Sequence, residues 1–125
     1  MKKNFLGVIL ASMLVFVLIS SCGDGDKGSD DGVYTANIEN GKVVYDKVCV
    51  ACHMTGVAGA AALSNKERWD VSAAKGLETL RGIVLKGNQG EHGVMPERGS
   101  CTDCSDHDLF DALGYILHEA GVEAK

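Results

Sequence analysis

The residues best suited to chemistry in this chain form one short motif. Cys49, Cys52 and His53 stand in the pentapeptide Cys-Val-Ala-Cys-His. Two thiols three residues apart on a helical turn can each form a thioether with one vinyl group of a haem, and the imidazole that follows can bind the iron. The motif therefore predicts one covalent haem c, attached through Cys49 and Cys52, with His53 as an axial ligand.

Two other chemistries use the same residue types. A structural zinc site needs a second pair of ligands, and the chain holds one more CxxC pair, Cys101 and Cys104. A thioredoxin-like redox pair needs a βαβ surround, and no segment alternates as a half-buried strand does. We favour haem over a haem-free metal or thiol module built on the two cysteine pairs.

The second axial ligand has few candidates. Met95 lies in Gly-Val-Met-Pro, where Pro96 stiffens the chain, and its thioether would favour Fe(II). Met54 directly follows His53 and cannot reach the opposite haem face. His92 and His107 are the rival ligands. If the sixth position were labile, the chain would be a haem enzyme or gas sensor, with His92 as a distal base, but so small a chain has little room for a substrate site.

The first residues have the pattern of an export signal. Lys2 and Lys3 precede an apolar run over residues 5–19, which is too short to span a bilayer comfortably. The tetrapeptide Ile-Ser-Ser-Cys that ends at Cys22 resembles a bacterial lipobox. We therefore predict a lipoprotein signal peptide over residues 1–21 and a lipid on Cys22. The alternative is an ordinary signal cleaved near Ser21 or Gly23.

The segment after Cys22 is predicted to be a tether. Residues 23–32 carry Gly, Asp, Lys and Ser but no apolar side chain, so they have nothing to bury. We assign residues 22–36 to a flexible acidic Gly-rich tether and residues 37–125 to one folded domain. Such a protein would work in the periplasm or elsewhere outside the cytoplasm, attached to a membrane by its lipid.

The five cysteines divide without remainder. Cys22 would carry the lipid and Cys49 and Cys52 the haem, which leaves Cys101 and Cys104. Outside the cytoplasm a leftover pair is expected to be oxidised, so we predict a Cys101–Cys104 disulfide. So short a loop stabilises the fold by only about 2 kcal/mol in the chain-entropy account, which indicates a structural role.

The overall charge limits the partners. The chain has 12 Lys and Arg against 17 Asp and Glu, for a formal net charge of −5 at pH 7. A chain this acidic is not expected to bind nucleic acid. We expect a monomer.

Helix signals divide the domain. A helix is predicted from about Ile38 to Ala51 with Asn37 as its N-cap, and a short helix carrying Trp69 after a capping box that starts at Ser64. Two more helices are predicted. One spans residues 77–86 and is ended by Gly87, and the last is opened by Ser105 and ended by Gly121. The prediction is an all-α domain of four to five short helices joined by Gly-rich loops, around one haem.

Several segments together resemble a known family. The Cys-Val-Ala-Cys-His motif, the run over residues 95–106 and the segment Leu-Gly-Tyr-Ile at residues 113–116 resemble class I cytochromes c. Met-Pro followed by Gly-x-Cys-x-x-Cys-Ser-Asp is similar to the cytochrome c5 subgroup, as is the segment over residues 69–77. The resemblance covers about residues 37–120.

The resemblance implies a site and a packing arrangement. It implies the haem attachment already named, His53 and Met95 as axial ligands, and the disulfide between residues 101 and 104. It also implies that Gly41 and Tyr45 pack against the last helix near Tyr115. The chain departs from the subgroup at Ser100, where a second glycine is common, and in a longer loop over residues 87–92.

These features predict a one-electron carrier. The iron would cycle between Fe(III) and Fe(II) with both ligands retained, and no nucleophile or base is needed. Redox-partner proteins would dock weakly over a small patch near the haem edge, as is typical of electron-transfer encounters. Lys75, Lys86 and Arg98 are candidates for that patch.

Overall fold

The computed structural model describes residues 34–125. The predicted signal peptide, Cys22 and most of the predicted tether lie outside these residues. Within residues 34–125, no helix is both long and apolar enough to cross a membrane. The elements, in chain order, are α1 (Ile38–Val44), a π-helical turn (Tyr45–Cys49), α2 (Val50–His53), a 3-10 turn (Val57–Gly59), α3 (Lys66–Ala73), α4 (Leu77–Lys86), β1 (Asn88–Gly90), β2 (Gly93–Met95), a second 3-10 turn (Glu97–Ser100) and α5 (Asp106–Ala120).

The first helical segment is continuous but not uniform. α1, the π-helical turn and α2 follow one another directly and give an unbroken helix from Ile38 to His53. Asn37 caps it as predicted, because its side chain accepts a hydrogen bond from the amide of Asn40 at 3.1 Å. The π-helical turn ends at Cys49, the first residue of the Cys-Val-Ala-Cys-His motif, and single π turns often occur at functional sites.

The centre of the domain is the crossing of α1 and α5. A Cβ atom on Gly41 would lie 2.1 Å from the carbonyl oxygen of Asp111, so only glycine permits this approach of the two helices. The rings of Tyr45 and Tyr115 pack beside it with centroids 5.2 Å apart. The predicted contact of Gly41 and Tyr45 with the last helix is therefore confirmed.

A buried carboxylate fastens the start of the domain. Asp111 on α5 accepts hydrogen bonds from the hydroxyl of Tyr34, from the amide of Asn37 at 2.7 Å and from the side-chain amide of Asn40 at 2.8 Å. The ring of Tyr34 also lies beside the guanidinium of Arg81, 5.1 Å from the ring centroid. Packing thus reaches back to Tyr34, within the range that we assigned to the tether.

The later helices begin and end largely where the sequence indicates. α4 spans Leu77–Lys86 with Gly87 after it, as predicted. α5 begins with a capping box between Ser105 and Asp108 and ends at Gly121 in the left-handed conformation, also as predicted.

Two predictions need correction. The cap of α3 is Asn65 and not Ser64, because the Asn65 side chain accepts from the amide of Arg68 at 3.1 Å. We also predicted no strands, whereas β1 and β2 form an antiparallel hairpin in which Asn88 pairs with Met95. Each strand has three mostly exposed residues, which is too short for an alternating pattern to show.

Candidate functional site

The two thiols of the motif lie on consecutive parts of the first helix. Cys49 ends the π-helical turn, and Cys52 lies on α2 three residues later. Both are free thiols and half-buried. Burial raises the pKa of Cys49 to about 11, so this thiol is neutral at pH 7.

His53 is held in one orientation by a backbone carbonyl. Its Nδ1 atom lies 2.9 Å from the carbonyl oxygen of Ala61. A carbonyl can only accept, so Nδ1 carries the proton and donates it, which leaves the lone pair of Nε2 for a metal. The centroid of the Trp69 ring lies 5.6 Å from that of the His53 ring. The indole Nε1 of Trp69 donates to the carbonyl of Ala62 at 2.8 Å. Helix α3 and residues 61–62 therefore fix the imidazole together.

A cavity of about 740 Å³ brings the predicted site residues together. Its wall includes Cys49, Cys52, His53 and Met95. Much of the remaining wall is apolar, with contributions from Val48, Trp69, Leu80, Ile83, Val84, Leu113 and Ile116. Both the volume and the lining are typical of a cofactor site. The donor set of two thiols, an imidazole with a free Nε2 and a thioether fits haem c.

The four sulfur or imidazole candidates for the second ligand differ in their position relative to the cavity. Met95, the last residue of β2, is half-buried in the cavity wall. His92 also lines the cavity, but it lies exposed at the tip of the hairpin. Met54 is 59% exposed, His107 lies exposed on α5, and neither is among the residues that line the cavity. The geometry thus favours Met95.

The second cysteine pair lies apart from this cavity. Cys101 and Cys104 form a disulfide, and neither lines the cavity wall. Arg98 anchors the loop, since its guanidinium donates to Asp106 and to the carbonyl of Cys104, both at 2.7 Å. With both sulfurs bonded to each other, this pair offers no thiolates to a zinc ion.

Only one of the three charged residues that we expected near the haem edge lines the cavity. Lys75 lines the cavity, whereas Lys86 and Arg98 do not. Exposed apolar side chains lie on the wall instead, namely Val57, Val71 and Val94. The cavity thus opens onto a surface that is partly apolar.

The sequence did not reveal the residues that support the candidate ligands. Ala61 acts through its backbone carbonyl, so its side-chain type gives no signal. Arg68 donates to the carbonyls of Gly59 and Ala60 at 2.9 and 3.2 Å, and an arginine on a predicted helix resembles any solvated charge. Trp69 was placed on its helix, but its contact with the imidazole was not foreseen.

Comparisons with known proteins agree with this geometry. Residues 36–116 match the family profile described as cytochrome C oxidase, cbb3-type, subunit III. The chain belongs to the class I cytochrome c family. It is 34% identical over 80 residues to cytochrome c-555 of Chlorobaculum tepidum, a match that covers 64% of this chain and 74% of the relative. It is 33% identical over 94 residues to cytochrome c5 of Ectopseudomonas mendocina, covering 75% of this chain and 92% of the relative.

A solved structure gives the same result. The chain is similar to a cytochrome c in a crystal structure described as an electron transfer complex of nitrite reductase with cytochrome c. The TM-score is 0.59 at 35% identity, and the match covers 69% of this chain and 99% of the other. This member of the cytochrome c family is a small electron carrier with covalent haem c, and it exchanges electrons with redox-partner proteins. The predicted fold, cofactor and function are confirmed.

Proposed function

We propose that Cys49 and Cys52 attach the haem and that His53 and Met95 bind its iron in both oxidation states. The observation that supports this assignment is one cavity whose wall contains all four side chains. The Nε2 atom of His53 is left free by the hydrogen bond of Nδ1 to Ala61. The haem supplies a metal that gains or loses one electron, and its potential rises with thioether ligation.

The protein's own contribution is to hold these groups still. His53 lies at the end of α2, and its ring is fixed by the carbonyl of Ala61 and the ring of Trp69. Met95 lies on β2, where it pairs with Asn88 of β1. Ligands whose positions are fixed by neighbouring groups move little when the charge of the site changes, which suits electron transfer better than substrate binding.

Partner docking is proposed at the cavity mouth. Val57, Val71 and Val94 are exposed apolar side chains on the wall, and Lys75 adds a positive charge beside them. A small, partly apolar surface allows weak and short-lived encounters, as redox proteins need. Lys86 and Arg98 are not part of this proposal.

We further propose that the domain works outside the cytoplasm as a lipid-anchored protein. The support comes from the sequence alone: an apolar run over residues 5–19, a lipobox-like tetrapeptide ending at Cys22 and a polar segment over residues 23–32. Residues 1–21 would be removed, Cys22 would carry the lipid, and the segment over residues 22–36 would act as the tether of the domain over residues 37–125.

The decisive test of the ligand set is Met95→Ala, with Met54→Ala as the matched control. Loss of the thioether should abolish the far-red charge-transfer band of ferric iron bonded to methionine sulfur, lower the reduction potential and admit CO. The haem should stay attached, since Cys49 and Cys52 are unchanged. Met54→Ala should leave the spectrum and potential as in the wild type. If Met95→Ala keeps the far-red band and the wild-type potential, the assignment fails, and His92→Ala is the next variant to measure.

The anchor is tested by Cys22→Ala in cells that process lipoproteins. The wild type should sediment with membranes, because the several acyl chains of a bacterial lipoprotein hold firmly. The variant should appear in the soluble fraction with its haem spectrum intact. A wild-type protein that is already soluble after gentle lysis would rule out the lipid anchor without affecting the ligand assignment.

A further inference from the structure

The hairpin that carries Met95 has little support of its own. β1 and β2 contain three residues each, and Val94 in the middle of β2 is 63% exposed. A two-stranded ribbon of this size is marginal in water unless it packs against something else. An axial ligand on such a hairpin needs an external contact to keep it in place.

That contact is made by the 3-10 turn over Val57–Gly59. A Cβ atom on Gly59 would lie 1.4 Å from the carbonyl oxygen of His92, and one on Gly93 would lie 2.2 Å from the carbonyl oxygen of Ala58. Each backbone therefore occupies the space that a side chain on the other would need. We call this reciprocal contact, of Gly59 with His92 and of Gly93 with Ala58, the glycine seam.

The turn side of the seam is braced. Ala58 has φ 54° and Gly59 has φ 83°, so the turn has a left-handed conformation that is costly for alanine and persists only with support from its surroundings. Arg68 on α3 supplies that support by donating to the carbonyls of Gly59 and Ala60. A few residues later, the carbonyl of Ala61 accepts from His53.

The segment over residues 57–61 thus touches both halves of the site. At Ala61 it holds the imidazole of His53, and at Gly59 it holds the tip of the hairpin whose second strand ends in Met95. The same contact engages the backbone carbonyl of His92, the residue before Gly93 in the hairpin.

We infer that Gly59, Gly93 and Arg68 are positioning residues that keep the thioether of Met95 at the cavity. This inference rests on the ligand set proposed above. Opening the seam frees the hairpin, so the methionine leaves the sixth position more often while the thioethers and His53 remain in place. Gly59, Gly93 and Arg68 also line the cavity wall, so the readout that assigns the effect to the hairpin is the hydrogen exchange of the β2 amides.

The test compares Gly59→Ala and Gly93→Ala with Gly121→Ala in the haem-loaded protein. Gly121 has φ 66°, and a Cβ added there would have nothing within 4 Å, so its substitution imposes left-handed strain without a steric clash. Both seam variants should weaken the far-red band, speed CO binding to the ferrous protein at least about tenfold, or about 1.4 kcal/mol, and speed hydrogen exchange of the β2 amides. Gly121→Ala should lower the unfolding free energy but leave all three readouts at wild-type values.

A milder pair covers the case in which a seam variant does not fold. Arg68→Gln removes the brace without adding a Cβ to the seam, and Lys66→Gln is its control because Lys66 only pairs with Asp70 on the exposed side of the same helix. Arg68→Gln should show the same three changes to a smaller extent, and Lys66→Gln none.

Two outcomes separate the inference from the ligand assignment. If Met95→Ala abolishes the far-red band but the seam variants and Arg68→Gln match their controls, the seam inference is wrong and the ligand set stands. If Met95→Ala itself leaves the band unchanged, the ligand set is wrong and the inference falls with it.

Discussion

The Nδ1 atom of His53 lies 2.9 Å from the carbonyl oxygen of Ala61. Since only the imidazole can donate in this pair, the contact fixes both the tautomer and the ring orientation. The Nε2 atom then carries no proton, and its lone pair is free to bind a metal. The carbonyl belongs to a loop that is itself tied to α3 through Arg68. The imidazole of His53 is thus oriented by a backbone carbonyl, and substitutions in the loop can alter this contact only by moving the chain.

The closest helix contact gives a prediction with an internal control. Gly41→Ala would place a Cβ 2.1 Å from the carbonyl oxygen of Asp111 and 2.9 Å from the Cβ of Tyr115, so the two helices would have to separate. We expect a loss of about 1–3 kcal/mol of unfolding free energy, as overpacking costs. Gly82→Ala has nothing within 4 Å and should stabilise α4 by up to about 1 kcal/mol. Urea unfolding followed by circular dichroism measures both, and changes of the same sign would contradict the packing account.

Ser100 should be improved by glycine. Its φ is 69°, a left-handed conformation that costs a residue with a side chain about 1–3 kcal/mol. Ser100→Gly relieves this cost, and after the added entropy of the unfolded chain we expect a net gain of about 1 kcal/mol. Ser72→Gly, in the body of α3, should instead lose about 0.5 kcal/mol. Thermal unfolding of the two variants under one set of conditions decides the matter, and a destabilised Ser100→Gly would be inconsistent with strain at this position.

Removing the disulfide should affect stability and not the haem. The bond closes a loop from Cys101 to Cys104, for which the chain-entropy account gives about 2 kcal/mol. Neither sulfur lines the cavity, so the low-spin spectrum should be unchanged when the bond is reduced with the iron held in one oxidation state. Guanidinium unfolding with and without reductant measures the difference. Loss of the low-spin spectrum before unfolding would mean that the loop supports the site directly.

The capping carboxylate of α5 should make stability depend on pH. Hydrogen bonds from the side chain of Asn40, and from the amide and hydroxyl of Ser105, hold the pKa of Asp108 below its ordinary value. A carboxyl whose folded pKa is depressed stabilises the fold fully above its unfolded pKa of about 3.9 and loses that contribution as the pH falls through the folded value.

Asp108→Ala should therefore be less stable than the wild type at pH 6–7, and the gap should narrow below about pH 4. The measurement is the unfolding free energy of both proteins across this range. A gap of constant size would show that the side chain acts through packing and not through its charge.

Features of the fold that depend on local sequence were predicted better than features that depend on contacts between distant residues. Asn37, Ser105 and Gly121 each mark a helix end by chemistry contained within one turn, and each was placed correctly. The pair Ser64 and Asn65 shows the limit of such signals, since both residue types cap helices and only the structure shows that Asn65 accepts from the amide of Arg68.

Contacts between backbone segments that are distant along the chain could not be predicted from the sequence. The carbonyl of Ala61, the hairpin from Asn88 to Met95 and the reciprocal approach of Gly59 and Gly93 all depend on where the chain passes. The glycines could be noted individually, but their partners could not. Asp111 is a further case, because its burial follows from the helix crossing and not from the polar side chain itself.

The bonds of Tyr34 and Asn37 to Asp111 also have a mechanical consequence. A force applied to the domain through the chain that precedes Tyr34 would load these hydrogen bonds first, and their acceptor lies on α5, the helix that crosses α1 at Gly41. The motif over residues 49–53 and the hairpin of Met95 lie later along the chain, so the force would reach them only after the hydrogen bonds to Asp111 had broken.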